Sequence, residues 1–179
     1  MILLISLLYL ILPGVFANMA PPLTRHIPFL IYPIDFKITW RNKPLLGANK
    51  TYRGFFFGIL SAIIIAHTQQ QLYTYTFFQH ISLINYATIN IWLFGFLIGF
   101  GCLFGDLLES FAKRRLNIAP GQRFFPWDQL DALIGGLIFL SPLYWPGWYA
   151  VSYLLIIVII LHIIIKHIGY YLGIEQRAW

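Results

Sequence analysis

The stretch NIWLFGFLIGFGCLFGDLL, residues 90–108, decides the fold class of this chain. Its apolar residues run almost without interruption for about the 20 residues that a helix needs to cross a membrane, and Asp106 is its only charged residue. The apolar positions do not alternate with polar ones, which favours a helix over a strand of a membrane barrel. Its glycines have the spacing that lets membrane helices pack closely; they are Gly95, Gly99, Gly101 and Gly105.

The composition of the whole chain agrees with this assignment. Of the 179 residues, 59% are hydrophobic and only 10% are charged, whereas about 25% of the residues of a soluble domain are charged. We predict an all-α integral membrane protein with about five transmembrane helices, which form a single membrane-embedded domain over residues 1–179. The predicted helices lie near residues 2–20, 54–72, 90–108, 130–145 and 148–165.

The positions of the twelve Lys and Arg residues predict the orientation. Six lie in the loop 21–53, four lie in the loop 109–129 and two lie in the C-terminal tail, whereas none lies between residues 67 and 89. Because Lys and Arg concentrate in cytoplasmic loops, we predict that the N-terminus lies outside and the C-terminus in the cytoplasm. The predicted location is the cell (inner) membrane, with the active site on its cytoplasmic face. The net charge of +6 then indicates contact with the headgroups of the lipid bilayer, and no nucleic acid is expected as a partner.

Three aspartates form the predicted chemical centre. Asp106 and Asp131 are flanked by apolar sequence near helix ends, where an ionised carboxylate is costly unless it is paired or binds a metal. Asp128 precedes Asp131 by three residues and so shares its helical face, although Asp128 could instead cap that helix. Mg²⁺ is usually held by one or two carboxylates together with substrate phosphates. We therefore predict Asp106, Asp128 and Asp131 as catalytic residues and as the ligands of Mg²⁺.

Cations accompany these carboxylates on the same predicted side of the membrane. If the helix at 90–108 continues inward, Lys113 and Arg114 share a face with Asp106. The loop segment LGANKTYRG, residues 46–54, adds further cations directly before the second helix, where helix N–H groups attract anions. We predict a nucleotide-phosphate site made of Asn49, Lys50, Thr51, Arg53, Lys113 and Arg114, with Lys113 also taking part in catalysis. On spacing alone, the alternative is a positively charged membrane anchor with a few salt bridges.

Three segments carry a family resemblance: LGANKTYRG at 46–54, GD at 105–106 followed by SFAKRRL at 110–116, and DQLD at 128–131. In order and spacing they resemble the CDP-archaeol synthase family, which consists of membrane CTP-dependent cytidylyltransferases related to the CDP-diacylglycerol synthases. The resemblance implies that CMP is transferred from CTP to an isoprenoid ether lipid phosphate with Mg²⁺, which forms a CDP-activated lipid and pyrophosphate for phospholipid biosynthesis. It implies that the family carboxylates correspond to Asp106, Asp128 and Asp131, and the phosphate-binding cations to Lys50, Arg53, Lys113 and Arg114.

Two other functions stay open on the sequence. A CTP-dependent polyprenol kinase would pass the γ-phosphate to an alcohol, and it would need a base for the hydroxyl proton. A small membrane transporter would use Asp106 and Asp131 as an ion relay, but it would place polar residues on both membrane faces or near the midplane. The five histidines share no ligand spacing with the carboxylates and lie outside the predicted site. The sequence fixes neither the lipid phosphate nor the oligomeric state, and it assigns no role to the loop 35–46.

Overall fold

A computed structural model describes residues 2–119 and 122–171 of the chain. Within this part, six α-helices and one short antiparallel hairpin are present. The helices are α1 (Ile2–Leu23), α2 (Tyr52–Leu72), α3 (Thr76–Ile81), α4 (Ile91–Arg115), α5 (Trp127–Leu140) and α6 (Trp148–Tyr171). The hairpin pairs β1 (Thr39–Trp40) with β2 (Lys43–Pro44).

Long apolar helices dominate the structure. Among the described residues, three helices are long and apolar enough to cross a membrane, namely α1, α2 and α4, and α6 contributes a shorter apolar segment, Trp148–Ile164. The predicted helical class is confirmed. The count of five spans and the orientation remain predictions. The predicted C-terminal tail begins inside α6, which continues to Tyr171, and residues 172–179 lie outside the described residues.

Several predicted boundaries differ from the structure. The predicted loop 109–129 is wrong in its first part, because α4 continues to Arg115. Polar residues at a membrane surface need not end a helix, and the three cations in the last turn of α4 favour the negative end of its dipole. α5 ends at Leu140 instead of 145, since Pro142 lacks the backbone N–H that would continue the helical hydrogen bonds. The short helix α3 and the β1–β2 hairpin lie in segments that were predicted as loops.

Glycines let α4 pack closely against the backbones of its neighbouring helices. A Cβ added to Gly101 would lie 2.5 Å from the Gly135 carbonyl oxygen of α5, and one added to Gly105 would overlap the Asp131 carbonyl oxygen. On another face of α4, a Cβ on Gly99 would lie 2.6 Å from the Ala62 Cβ of α2. Real Cβ atoms do not approach other atoms so closely, so only glycine permits these contacts. The α4–α5 seam, formed by Gly101 and Gly105 against 131–135, holds the end of α4 beside the start of α5.

α1 contacts each of the other described helices. Its buried Leu7 and Ile11 pack with Leu133 and Leu137 of α5. The first part of α6 joins the same cluster through three buried residues, which are Ala150, Val151 and Leu154. The buried apolar residues of the described helices form three clusters, and α1 contributes to each of them.

Candidate active site

A cluster of three carboxylates lies where α4 passes α5. One oxygen each of Asp106, Glu109 and Asp131 lie within 4.8 Å of one another. The α4–α5 seam brings these carboxylates together. Gly105 has no side chain, so the α4 backbone next to Asp106 packs directly against the α5 backbone at Asp131. Glu109 was not predicted as a site residue from the sequence, although its position three residues after Asp106 places both on one helical face.

This donor set fits a hard divalent cation. Mg²⁺ prefers oxygen ligands at about 2.0–2.1 Å, so opposite ligands lie about 4.2 Å apart. The 4.8 Å limit within which the three carboxylate oxygens lie is close to that separation. Asp106, Glu109 and Asp131 are the described residues that could hold Mg²⁺. Asp128, which the sequence predicted as a third ligand, is not a member of this group.

Lys50 connects the loop before α2 to the carboxylate cluster. Its Nζ lies 2.6 Å from both carboxylate oxygens of Asp106. Two neighbours of Lys50 in the sequence have other partners. The Thr51 hydroxyl accepts a hydrogen bond from the Gly54 N–H at 3.2 Å and thereby caps α2, and Arg53 Nη1 donates to the Ile27 carbonyl at 2.7 Å. Of these three predicted phosphate-binding residues, only Lys50 reaches the carboxylates.

Lys113 bridges α4 and the start of α5. Its Nζ lies 2.6 Å from Glu109 Oε1 and also contacts Asp128 Oδ1. The second oxygen of Asp128 accepts a hydrogen bond of 2.7 Å from the Phe124 N–H. The side chains of Lys113, Glu109 and Asp128 are 12%, 7% and 18% exposed, so this pairing is largely shielded from solvent. Asp128 therefore holds Lys113 and the segment before α5; it does not serve as the N-cap of α5, which is Pro126.

A polar cavity of about 370 Å³ collects these groups. Carboxylates and cations both line its wall, together with the turn from Gly47 to Lys50, which includes Asn49. Arg114 also lines the cavity, whereas Thr51 and Arg53 do not. His162 of α6, which the sequence left outside the site, lines it as well. No sequence spacing could have indicated His162, because only the packing of α6 brings it there. An arrangement of carboxylates and cations in one pocket is suited to a metal-bound polyphosphate.

The comparison with known proteins identifies the family. The family model described as CarS-like, CDP-archaeol synthase, matches residues 1–179. This chain belongs to the CDP-archaeol synthase family. The resemblance predicted from the three sequence segments is thereby confirmed, and those segments are the ones that supply Lys50, Asp106, Lys113 and Asp131 to the cavity.

Individual members of the CDP-archaeol synthase family match over most of the chain. The CDP-archaeol synthase of Methanococcus maripaludis is 35% identical over 180 residues, which cover 100% of this chain and 98% of the relative. That of Methanococcoides burtonii is 34% identical over 158 residues, which cover 82% and 90%. A solved structure of an intramembrane enzyme for archaeal membrane lipids biosynthesis has the same fold, with a TM-score of 0.66 and 24% identity over 89% of this chain and 91% of that one.

In this member of the CDP-archaeol synthase family, Asp35 organises the loop that carries Lys50. Its buried carboxylate accepts three backbone N–H groups, from Lys37 at 3.0 Å, Leu46 at 2.9 Å and Gly47 at 3.1 Å. Burial acts to raise the pKa of Asp35, but these donors outweigh it and hold the pKa below its ordinary value. Gly47 has a φ of +112°, which favours glycine, and its carbonyl accepts the Lys50 N–H at 3.2 Å. The loop 35–46 thus has a structural role in positioning Lys50.

We expect the Asp35→Asn variant to lower the free energy of unfolding by about 2 kcal/mol at pH 7, because an amide cannot accept all three N–H groups of a buried carboxylate. Since the pKa of Asp35 is lower in the folded protein than in the unfolded chain, its stabilisation is complete above about pH 4 and is lost as the pH falls through the folded pKa. The difference between wild type and variant should therefore shrink in acid. Denaturant unfolding in detergent at pH 7 and at low pH measures this difference.

The Lys37→Gln variant is the matched control for this experiment, because it changes an exposed charge of the same loop and keeps the backbone N–H. It should unfold like the wild type at both pH values. An Asp35→Asn protein as stable as the wild type at pH 7 would refute the structural role of the carboxylate.

Proposed function

We propose that this chain transfers CMP from CTP to an isoprenoid ether lipid phosphate in a Mg²⁺-dependent reaction, and so forms a CDP-activated lipid and pyrophosphate. The observation that carries the proposal is one cavity in which Asp106, Glu109 and Asp131 lie beside Lys50 and Lys113. Membership of the family supports the same reaction, since relatives such as the protein of Methanococcus maripaludis are CDP-archaeol synthases.

The reaction is a displacement at phosphorus. An oxygen of the lipid phosphate forms a bond to the α-phosphorus of CTP, and the bond from this phosphorus to the oxygen that bridges to the β-phosphorus breaks. Pyrophosphate leaves with that bridging oxygen. The attacking phosphate is already ionised, so no general base is needed, and catalysis consists of positioning and charge neutralisation.

The residues divide these tasks. Asp106, Glu109 and Asp131 would hold Mg²⁺, which when bound supplies positive charge against the phosphates. Lys50 and Arg114 face the same cavity and would neutralise phosphate oxygens directly. Lys113 contributes charge from its position between Glu109 and Asp128. In this proposal Asp128 is a positioning residue for Lys113.

The orientation in the membrane is part of the proposal. We infer five spans, formed by α1, α2, α4, α5 and α6, with the N-terminus outside and the cavity at the cytoplasmic face of the cell membrane. The ten basic residues of the segments 21–53 and 109–129 support this orientation. It would let soluble CTP and a membrane-bound lipid phosphate reach one site.

The test is a product analysis with the purified protein in detergent. CTP labelled at the α-phosphate is incubated with Mg²⁺ and a panel of isoprenoid ether and diacyl glycerol phosphates. Label in the lipid fraction together with an equal amount of pyrophosphate is the expected result, and chelation of Mg²⁺ should stop it. Transfer of a γ-phosphate label with release of CDP would indicate a kinase instead. A folded protein that binds no nucleotide would favour the transporter.

A further inference from the structure

We propose that an apolar cavity next to the carboxylate cluster holds a hydrocarbon chain of the lipid phosphate, and that the lipid reaches it from the bilayer between α1 and α6. The inference rests on the proposed function, because it names the place of the lipid in that reaction. The cavity measures about 310 Å³ and is bounded by α1, α4, α5 and α6.

The apolar cavity is continuous with the polar cavity. Asp128, Asp131 and His162 line both. One face of α4 also lines both cavities, because residues four apart share a helical face. Ile98 and Cys102 on that face line the apolar cavity, and Asp106 and Ser110 line the polar one. A molecule with an apolar chain and a phosphate matches this change of character along a single space.

The length of the apolar cavity suits a chain that extends into the membrane. Its lining on α5 runs from Asp131 at the carboxylate cluster to the buried Leu140. Nine residues of helix span about 14 Å. A chain with its phosphate at the cluster could therefore lie along α5 for about this distance towards the middle of the bilayer.

The cavity opens sideways between α1 and α6. Val15 and Met19 of α1 line it and are nevertheless 42% and 49% exposed. The first part of α6 packs on α1 and α5 through the buried Leu154, but one and two turns later Val158 and His162 line the cavity. Val158 still packs against that cluster, but after it no α6 side chain that the structure describes is buried. We infer that the opening towards the hydrocarbon region lies here, beside Val15 and Met19.

A second apolar groove is an alternative binding site for the hydrocarbon chain, but the charged residues beside this groove argue against it. This outer groove, of about 690 Å³, lies on the other side of the α4–α5 seam and exposes Leu108 and Ile138. It touches Glu109 and Asp131 but, among the described residues, no Lys or Arg. A lipid phosphate bound there would meet carboxylates alone, whereas the apolar cavity leads to Lys50 and Lys113 in the polar cavity.

The test is to fill each space with a bulky side chain and to measure kinetics. Val158→Trp should obstruct the apolar cavity, and we expect kcat/KM for a long-chain isoprenoid lipid phosphate to fall about tenfold or more. The KM for CTP should stay unchanged. A lipid phosphate with a chain of only a few carbons does not need the obstructed space, so its kcat/KM should stay near the wild-type value.

Two variants serve as controls. Ile160→Trp places the same bulk on an exposed position of α6 that does not line the cavity, and Ile138→Trp fills the outer groove. Both should stay within about twofold of the wild type for both lipids. Val15→Trp, at the exposed mouth of the cavity, should reproduce the loss of Val158→Trp without disturbing a buried position, and Phe16→Trp is its control on the lipid-facing side.

Two results would overturn the inference. The first is an equal loss for long and short chains in Val158→Trp and Val15→Trp, which would mean that the substitutions disturb the site itself. The second is a selective loss of long-chain activity in Ile138→Trp alone, which would assign the chain to the outer groove. Failure of the proposed function is separate from both, because the wild type would then form no CDP-lipid from any lipid phosphate.

Discussion

The Asp106→Asn variant is expected to lower the rate of CMP transfer by about 10²–10³-fold while it keeps the fold. Asp106 is one of the three carboxylates of the cluster and the partner of Lys50. An amide of the same shape removes the negative charge. It therefore weakens the binding of a divalent ion and removes the salt bridge that holds Lys50 in position. Loss of one preorganised electrostatic group costs about 3–4 kcal/mol in the transition state, which corresponds to 10²–10³-fold in rate.

Initial rates of label transfer from CTP measure this loss, and the unfolding temperature in detergent reports on the fold. Asp131→Asn should behave in the same way. Lys50→Gln should lower the rate in the same direction, and Lys37→Gln, which removes an exposed cation from the same loop, is its matched control with unchanged activity. A near-normal rate in Asp106→Asn would contradict the assignment of the cluster as the catalytic centre.

The Lys113→Met variant is expected to lose about 3 kcal/mol of unfolding free energy in the absence of divalent ions, in addition to its activity. Lys113 Nζ contacts both Glu109 and Asp128, and all three side chains are mostly buried. Removal of one partner of a buried ionic group leaves uncompensated charge, which costs about 3–5 kcal/mol. Because Met keeps most of the apolar stem, the loss reports on charge and much less on packing.

Denaturant unfolding in chelator and in Mg²⁺ gives the measurement. Mg²⁺ bound to Glu109 in the cluster would replace part of the missing positive charge, so the variant should regain part of its stability when Mg²⁺ is added. The wild type should gain less. Lys37→Met is the control for loss of a cation at an exposed position. An unfolding free energy equal to that of the wild type in chelator would show that Lys113 does not bridge the two helices.

Hydropathy predicted the helical class and the approximate positions of the long helices. It could not predict where α4 ends, because the residues from Glu109 to Arg115 are polar and also compatible with a helix. The structure shows that they continue α4. The end of α5 was misplaced for the opposite reason, since residues 141–145 are mostly apolar but include Pro142.

The sequence predicted which segments carry the candidate site, but it did not predict all the contacts of the individual residues. Asp106, Asp131 and Lys50 do meet at one cavity. The sequence could not rank Glu109 against Asp128, because each lies three residues from a cluster aspartate and only the relative rotation of α4 and α5 separates them. Thr51 and Arg53 follow Lys50 by one and three residues, yet residues so close together around the start of a helix point in different directions. Proximity along the chain therefore gave too large a phosphate site.

The short length of α5 has a consequence for the surrounding lipid. α5 has 14 residues, which gives a length of about 21 Å, whereas the hydrocarbon core of a bilayer is about 30 Å thick. As a membrane span, α5 would leave a mismatch of about 9 Å, and bilayers respond to such short segments by thinning locally. We expect the headgroup layer to dip towards the start of α5, where Asp128 and Asp131 lie. A lipid phosphate would then arrive at the level of the carboxylates while its chains remain in the membrane.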